Sequence, residues 1–230
     1  MISVVIPVFN AAPYVAQAIG SVLNQTLPPD EIVVVDDGST DATADEVRRY
    51  QPRVAYFSQS NQGPGAARNL GMRESKGDLI AFLDADDLWL PEKLRLQKAA
   101  LDADQSLDLV FCHMSQFRED APDEAVVIGG QSVQPSPLIS CVLARRTVFD
   151  KIGPLRTDLK AEFVEWYLRA CEADLRIRTL DDLLVKRRLH SGNFTLANQG
   201  LRREYVHLLK ASLDRRRAKA GAGPCPGTLQ

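Results

Sequence analysis

Short apolar runs rich in β-branched residues recur along the first hundred residues, separated by stretches whose apolar positions fall at helical spacing. Four runs read as strands: Ile2–Ile6, Glu31–Asp36, Arg53–Ser58 and Asp78–Leu83. The continuous Val/Ile character of the first two suits strands covered on both faces, as in a parallel sheet. Between them, Pro13–Leu23 sets Val15, Ala18, Ile19, Val22 and Leu23 close to one helical stripe. Thr43 with Glu46 makes a capping-box pattern at the start of a second helix, and Ala66–Ser75 predicts a third. Successive βα units of this kind predict an α/β fold, a Rossmann-like, mostly parallel central sheet flanked by helices.

The rhythm changes after Trp89. Pro91 suits the first position of a helix running to about Asp102, and Leu107–Cys112 reads as another strand. Arg118–Pro137, rich in Pro, Gly, Asp and Glu, predicts a surface loop or hairpin. Ile139–Ala144 reads as a strand, Thr147–Lys151 as a short helix closed by Gly153-Pro154, Glu162–Ala173 as a stronger helix and Asp182–Arg188 as a strand. Residues 201–220 hold seven basic side chains against Glu204 and Asp214, with Leu201, Tyr205, Leu208, Leu209 and Leu213 as an apolar stripe. That helix is expected to pack its stripe on its own domain and leave a solvated basic face; peripheral membrane contact or dimerisation through 201–219 is the other reading. The Gly/Pro-rich tail from Gly221 is expected to fray.

Composition adds mainly exclusions. With 230 residues, 28 Lys+Arg against 30 Asp+Glu, a formal charge of −2 and 45% apolar residues, the chain is an ordinary globular protein. It shows no basic stripe interleaved with aromatics outside the terminal helix, which argues against nucleic-acid binding. The longest apolar runs fall far short of the roughly 20 residues that span a bilayer. The N-terminus lacks a basic region, and Pro7 interrupts its apolar run, so it reads as buried strand rather than signal peptide, and the expected location is cytoplasmic. Cys112, Cys141, Cys171 and Cys225 are widely spaced, as suits reduced thiols rather than structural zinc.

Candidate chemistry gathers where strands become loops. The first strand runs into Pro7-Val8-Phe9-Asn10, the second into Asp36-Asp37-Gly38-Ser39 and the fourth into Asp84-Ala85-Asp86-Asp87. Ligands of open parallel sheets sit outside the carboxyl ends of the strands, at the switch point, so adjacent first and fourth strands would place these groups around one crevice. Carboxylates converging there repel one another unless a cation sits among them, and oxygen ligands suit Mg²⁺ or Mn²⁺ completed by a diphosphate. Capping of turns is the alternative use for Asp37 and Ser39. Asn61–Asn69 is a Gly-rich turn feeding a helix, matching neither a dinucleotide fingerprint nor a P-loop; its Arg68 and Asn69 either bind ligand or tie loops together.

Taken in order, Val5–Asn10, Ser21–Thr26, Glu31–Asp41, Asn61–Asn69 and Gly77–Asp87 resemble the family 2 glycosyltransferases of GT-A fold, strongly over residues 1–100 and more weakly over 138–196. The resemblance implies a nucleotide-sugar half over 1–105, an acceptor half over 106–196 of the same domain, and a basic helix with its tail over 197–230. It implies nucleotide-sugar contacts at Pro7, Asn10, Asp36, Asp37, Asn69, Asp84 and His190, and a metal, Mn²⁺ or Mg²⁺, at Asp84 and Asp86. The implied reaction moves a sugar from a nucleoside-diphosphate sugar to an unknown hydroxyl acceptor (saccharide, lipid-linked or small molecule) with inversion. Transmembrane helices and the QxxRW motif of the related processive synthases are missing, so a single transfer is expected.

The sequence departs from the family's commonest pattern at the base. An Asp follows the Glu of the acceptor-side helix in that pattern, whereas here Phe163 follows Glu162. Glu162 and Glu165, three apart, are the candidates for the base, Glu162 first; the alternative makes both surface residues. Trp166 reads as core or as an acceptor platform. The rival readings are a non-catalytic nucleotide-sugar or carbohydrate binding module and, more remotely, a nucleotidyltransferase, whose Gly-rich, basic loop after the first strand is absent from Pro7–Pro13.

Overall fold

The computed structural model describes residues 1–127, 130–135, 137–193 and 200–221. Its amino-terminal part is built of β1 (Ile2–Val8), α1 (Val15–Leu23), β2 (Glu31–Asp36), α2 (Thr43–Arg48), β3 (Ala55–Ser58), α3 (Pro64–Glu74) and β4 (Leu79–Phe82). There follow β5 (Leu88–Trp89), α4 (Lys93–Ala103), β6 (Leu109–Arg118), β7 (Ala121–Ala125), β8 (Val133–Pro135), a 3-10 turn over Ile139–Cys141 and β9 (Leu143–Arg145). The remainder is α5 (Arg146–Ile152), α6 (Glu162–Glu172), β10 (Ile177–Leu189) and α7 (Leu201–Gly221).

Ten strands among the described residues join in one sheet ordered β3-β2-β1-β4-β9-β6-β10-β5, with β7 and β8 paired to β6. The β1–β2, β1–β4, β2–β3 and β6–β10 pairs are parallel, and β9 runs antiparallel between β4 and β6. All seven residues of β1 are buried, because helices cover both faces of the central strands. Chain leaving β1 feeds β2 on one side, while β4 lies on the other; this switch point opens a crevice at the carboxyl ends of β1 and β4. Above it α3 lies so close to the sheet that a Cβ on Gly71 would come 2.3 Å from Val5 Cγ1.

Several local expectations change. The capping box at Thr43 is not formed: Ala42 is the N-cap of α2, and the Thr43 hydroxyl instead accepts from Ala11 N at 2.8 Å and donates to Asp41. Pro91 lies in the turn ahead of α4. Ile139–Ala144 splits into a 3-10 turn and β9. The apolar stripe of α7 also divides: Leu201, Tyr205 and Leu208 face the protein, whereas Leu209 and Leu213 are exposed. Its expected frayed tail and Cys225 lie outside the described residues, as does Ile128; Cys112, Cys141 and Cys171 are free thiols. Among the described residues no helix is long and apolar enough to cross a membrane.

Candidate active site

A cavity of about 590 Å³ fills the crevice, lined by Pro7, Asn10 and Asp37, by Asp84 and Asp86 of the loop after β4, and by Glu162 and Tyr205. Asn10 sits at φ 48°, a left-handed conformation that its short polar side chain tolerates. Its Oδ1 accepts from Thr40 N at 2.8 Å and its own N–H donates to Ser39 Oγ at 2.9 Å, tying the ends of β1 and β2 together.

The two aspartates after β2 have different tasks. Asp37 is buried, and its carboxylate accepts from Gln62 N at 2.9 Å, Gly63 N at 2.7 Å and Gln59 Nε2 at 2.7 Å, which shapes the Gly-rich turn at the cavity wall. Asp36, expected as a nucleotide-sugar contact, lies outside the cavity. Its side chain is the last residue of β2 and points the other way from Asp37, accepting from Tyr56 Oη and Ser39 N, both at 2.8 Å.

The loop after β4 forms the acidic floor. Asp84 is held by the Arg68 guanidinium, and its N–H donates to Ser140 Oγ at 3.2 Å. Asp86 Oδ2 lies 3.0 Å from His190 Nε2 and accepts from Asn193 Nδ2 at 2.8 Å. Asp87 turns inward to Ser140 Oγ at 2.9 Å and Arg188 N at 3.2 Å; burial, then the charges of Asp86 and Asp84, push its carboxyl well above the ordinary range. Among the described residues no three His, Cys, Asp or Glu side chains form a metal cage. Mg²⁺ and Mn²⁺ in phosphate sites take only one or two protein carboxylates, however, and two partly exposed carboxylates facing the cavity, with an imidazole beside one of them, fit that chemistry. Asp84 and Asp86 would hold the ion, with His190 next to Asp86.

Glu162, the first residue of α6, lines the same cavity. An aromatic cluster fixes the helix: Trp166, fully buried and therefore core, stacks with Phe149 at 4.8 Å and Phe163 at 5.8 Å, and Phe111 meets Phe163 edge-on at 6.3 Å. Phe163 thus has its ring packed in the core, and the preceding residue, Glu162, brings a carboxylate to the cavity. Glu162 Oε1 is paired with Arg68, which bridges it to Asp84. Burial raises the Glu162 pKa above the ordinary carboxylate value, against the opposing pull of Arg68. Arg68 is itself buried, and its Nε is the one buried side-chain polar atom without a partner among the described residues.

Besides Asp36, two more expected site residues fall elsewhere. Glu165 is bound by Arg169 at 2.9 Å and lines a separate groove with Pro154, Leu155 and Arg169. Asn69 lines the same groove; it donates to Leu155 O at 2.8 Å and accepts from Leu155 N at 3.1 Å, so it latches α3 to the segment ahead of α6. Further side chains support the acidic loop. Tyr14 packs on the His190 ring at 4.5 Å, and the Arg188 guanidinium lies between the Tyr14 and Phe117 rings while donating to Asp86 O at 3.0 Å. Tyr14 and Ser140 carry no motif, since only the fold brings them to the acidic loop. Arg187, the neighbour of Arg188, lines the cavity, as the alternation of a strand requires.

Residues 3–138 match the sequence model of the family described as glycosyl transferase family 2. An uncharacterised glycosyltransferase of Nostoc sp. is 32% identical over 84% of this chain and 66% of its own length. One of Rickettsia bellii is 36% identical over 70% of this chain, which spans only 24% of that protein. Among solved structures, S. aureus TarS 1-349 in complex with UDP-GlcNAc superposes with a TM-score of 0.73 at 22% identity, over 92% of this chain and 65% of that one. The mannosyltransferase PcManGT of Pyrobaculum calidifontis, in complex with GDP-Man and Mn²⁺, gives 0.67 at 19% identity, over 98% and 76%. At these identities the likeness establishes the fold, which is GT-A.

Proposed function

The chain belongs to glycosyl transferase family 2, and from that premise we propose that it transfers a sugar from a nucleoside-diphosphate sugar to an acceptor hydroxyl, with inversion and with Mn²⁺ or Mg²⁺ at Asp84 and Asp86. The observation that carries this reading is that the Glu162 carboxylate lines the same cavity as Asp84 and Asp86, joined to Asp84 through Arg68. When bound, the ion stabilises the negative charge that develops on the departing diphosphate.

The chain's own residues supply the rest. Pro7, Asn10 and Asp37 form the side assigned to the nucleoside. Tyr14 packs on His190, Asn193 donates to the Asp86 carboxylate, and Arg188 holds the Asp86 backbone in place. Glu162 accepts the acceptor hydroxyl's proton as that oxygen attacks the anomeric carbon from the face opposite the leaving group. A carboxyl raised by burial is better matched to that task than an ordinary one. Arg68 fixes Oε1 of that base, which leaves the second oxygen for the hydroxyl. TarS and PcManGT, crystallised with UDP-GlcNAc and with GDP-Man, support a nucleotide sugar as the donor class.

The test combines donor binding with turnover. Thermal shift against a panel of nucleoside-diphosphate sugars, with Mn²⁺, Mg²⁺ or chelator, identifies the donor; hydrolysis, transfer and the anomeric configuration of the product follow. Glu162→Gln is expected to lower turnover about 100-fold or more while donor binding persists. Unchanged turnover in Glu162→Gln overturns the base assignment, a retained anomer overturns inversion, and metal-dependent binding without any turnover points to a binding module.

A further inference from the structure

The helix α7 has two unlike faces. Leu201 and Ser212 are buried, Arg215 forms a bidentate pair with Glu172 of α6 at 2.8 Å, and Glu204 accepts from Ala161 N at 2.9 Å, ahead of the first turn of α6. These contacts pin one face to the domain. On the other, Val206, Leu209 and Leu213 are 65%, 48% and 52% exposed and recur at steps of three and four, so they form one outward stripe. Arg203, Lys210, Arg216 and Arg217 are exposed on the same side, with Asp214 the acid among them.

We propose that this face of α7 lies on the surface of a membrane containing anionic lipid. Leu209, Leu213 and Val206 enter the boundary between headgroups and acyl chains, while the flanking arginines and lysine meet lipid phosphates. Charge decides the occupant: a second copy docking by the same patch would set four cations against the same four cations. The placement also bears on the acceptor, a consequence that rests on the glycosyltransferase reading above. Leu201 and Tyr205, in the first turns of this helix, line the catalytic cavity. Seating α7 on a bilayer would hold the cavity wall formed by Leu201 and Tyr205 within one helix diameter, about 10 Å, of the headgroups, a distance that favours a lipid-linked hydroxyl acceptor.

Co-sedimentation of the purified chain with vesicles tests the surface without reference to catalysis. Binding is expected to equimolar phosphatidylcholine–phosphatidylglycerol vesicles and not to phosphatidylcholine alone, and to fall as salt is raised. Leu209→Glu/Leu213→Glu alters only exposed positions; it is expected to lower vesicle binding about tenfold or more with an unchanged Tm and unchanged donor hydrolysis in solution. No partition into anionic vesicles, or equal partition by the variant, overturns the proposal. So does a concentration-dependent dimer that the variant abolishes. Donor hydrolysis without vesicles reports on the enzymatic reading separately, so either can fail alone.

Discussion

Arg68 is the cation on which the buried charges of the site depend, and replacing it with methionine measures that dependence. The Glu162 side chain is only 7% exposed, so without Arg68 it becomes an uncompensated buried carboxylate, a loss of about 3–5 kcal/mol. Asp84 adds little, because at 35% side-chain exposure water replaces its partner. In the other direction, Arg68→Met removes the unpartnered Nε–H, which itself costs about 1–3 kcal/mol. The expected net destabilisation is therefore about 2 kcal/mol near neutral pH, or a Tm lower by roughly 4–8 °C for a chain of this size. The effect has a pH signature. A carboxyl whose pKa is raised in the folded state contributes fully below its unfolded value, near 4.5, and loses that contribution as pH rises through the folded value. Removing Arg68 raises the folded value further, so the loss in the variant is larger at pH 8 than at pH 5. Urea unfolding at both pH values, repeated in a Glu162→Gln background where the loss is expected to shrink, reads each step. A loss equal at the two pH values, or unchanged by Glu162→Gln, refutes the account of Glu162 as a buried charge held by Arg68.

Two further substitutions probe the frame around the site. Gly71→Ala gains about 1 kcal/mol of helix propensity but drives a methyl to 2.3 Å from Val5 Cγ1 and 3.3 Å from Val35 Cγ2; overpacking of this kind costs about 1–3 kcal/mol, and calorimetry is expected to show a Tm lower by a few degrees. Lys93 is fully buried, held by Gln97 at 2.8 Å and lying 4.0 Å over the Trp89 ring, with burial lowering its pKa to about 8. Lys93→Met is expected to stabilise by about 1–2 kcal/mol below pH 8, the relief of desolvation less the lost contacts. That gain fades between pH 8 and about 10.5, where the native lysine already folds uncharged; urea midpoints at pH 7 and pH 10 check the sign.

Much of this protein follows from local pattern alone. Continuous Val/Ile runs predict buried parallel strands, and β2 matches its expected span, Glu31–Asp36, because nothing else suits a strand covered on both faces. The acidic loop after β4 is legible for a related reason: charges directly after a buried run must emerge at the strand's carboxyl end. What lies across the cavity is a different matter. Glu162 and Glu165 are equivalent by spacing, and only the docking of α6 through Phe163 and Trp166 turns one into the cavity and the other onto Arg169. Asn69 and Arg68 are neighbours in one motif, yet one latches Leu155 and the other bridges two carboxylates. Asp36 and Asp37 diverge because a strand turns successive side chains to opposite faces, and only the sheet's neighbours say which face is the ligand's. Thus the sequence by itself determined the buried parallel strands β1, β2 and β4 and the acidic loop that follows β4, through periodicities that act within a few residues. The tertiary structure decided which carboxylate faces the cavity, because that depends on contacts between segments far apart in the chain, as between Arg68 and Glu162.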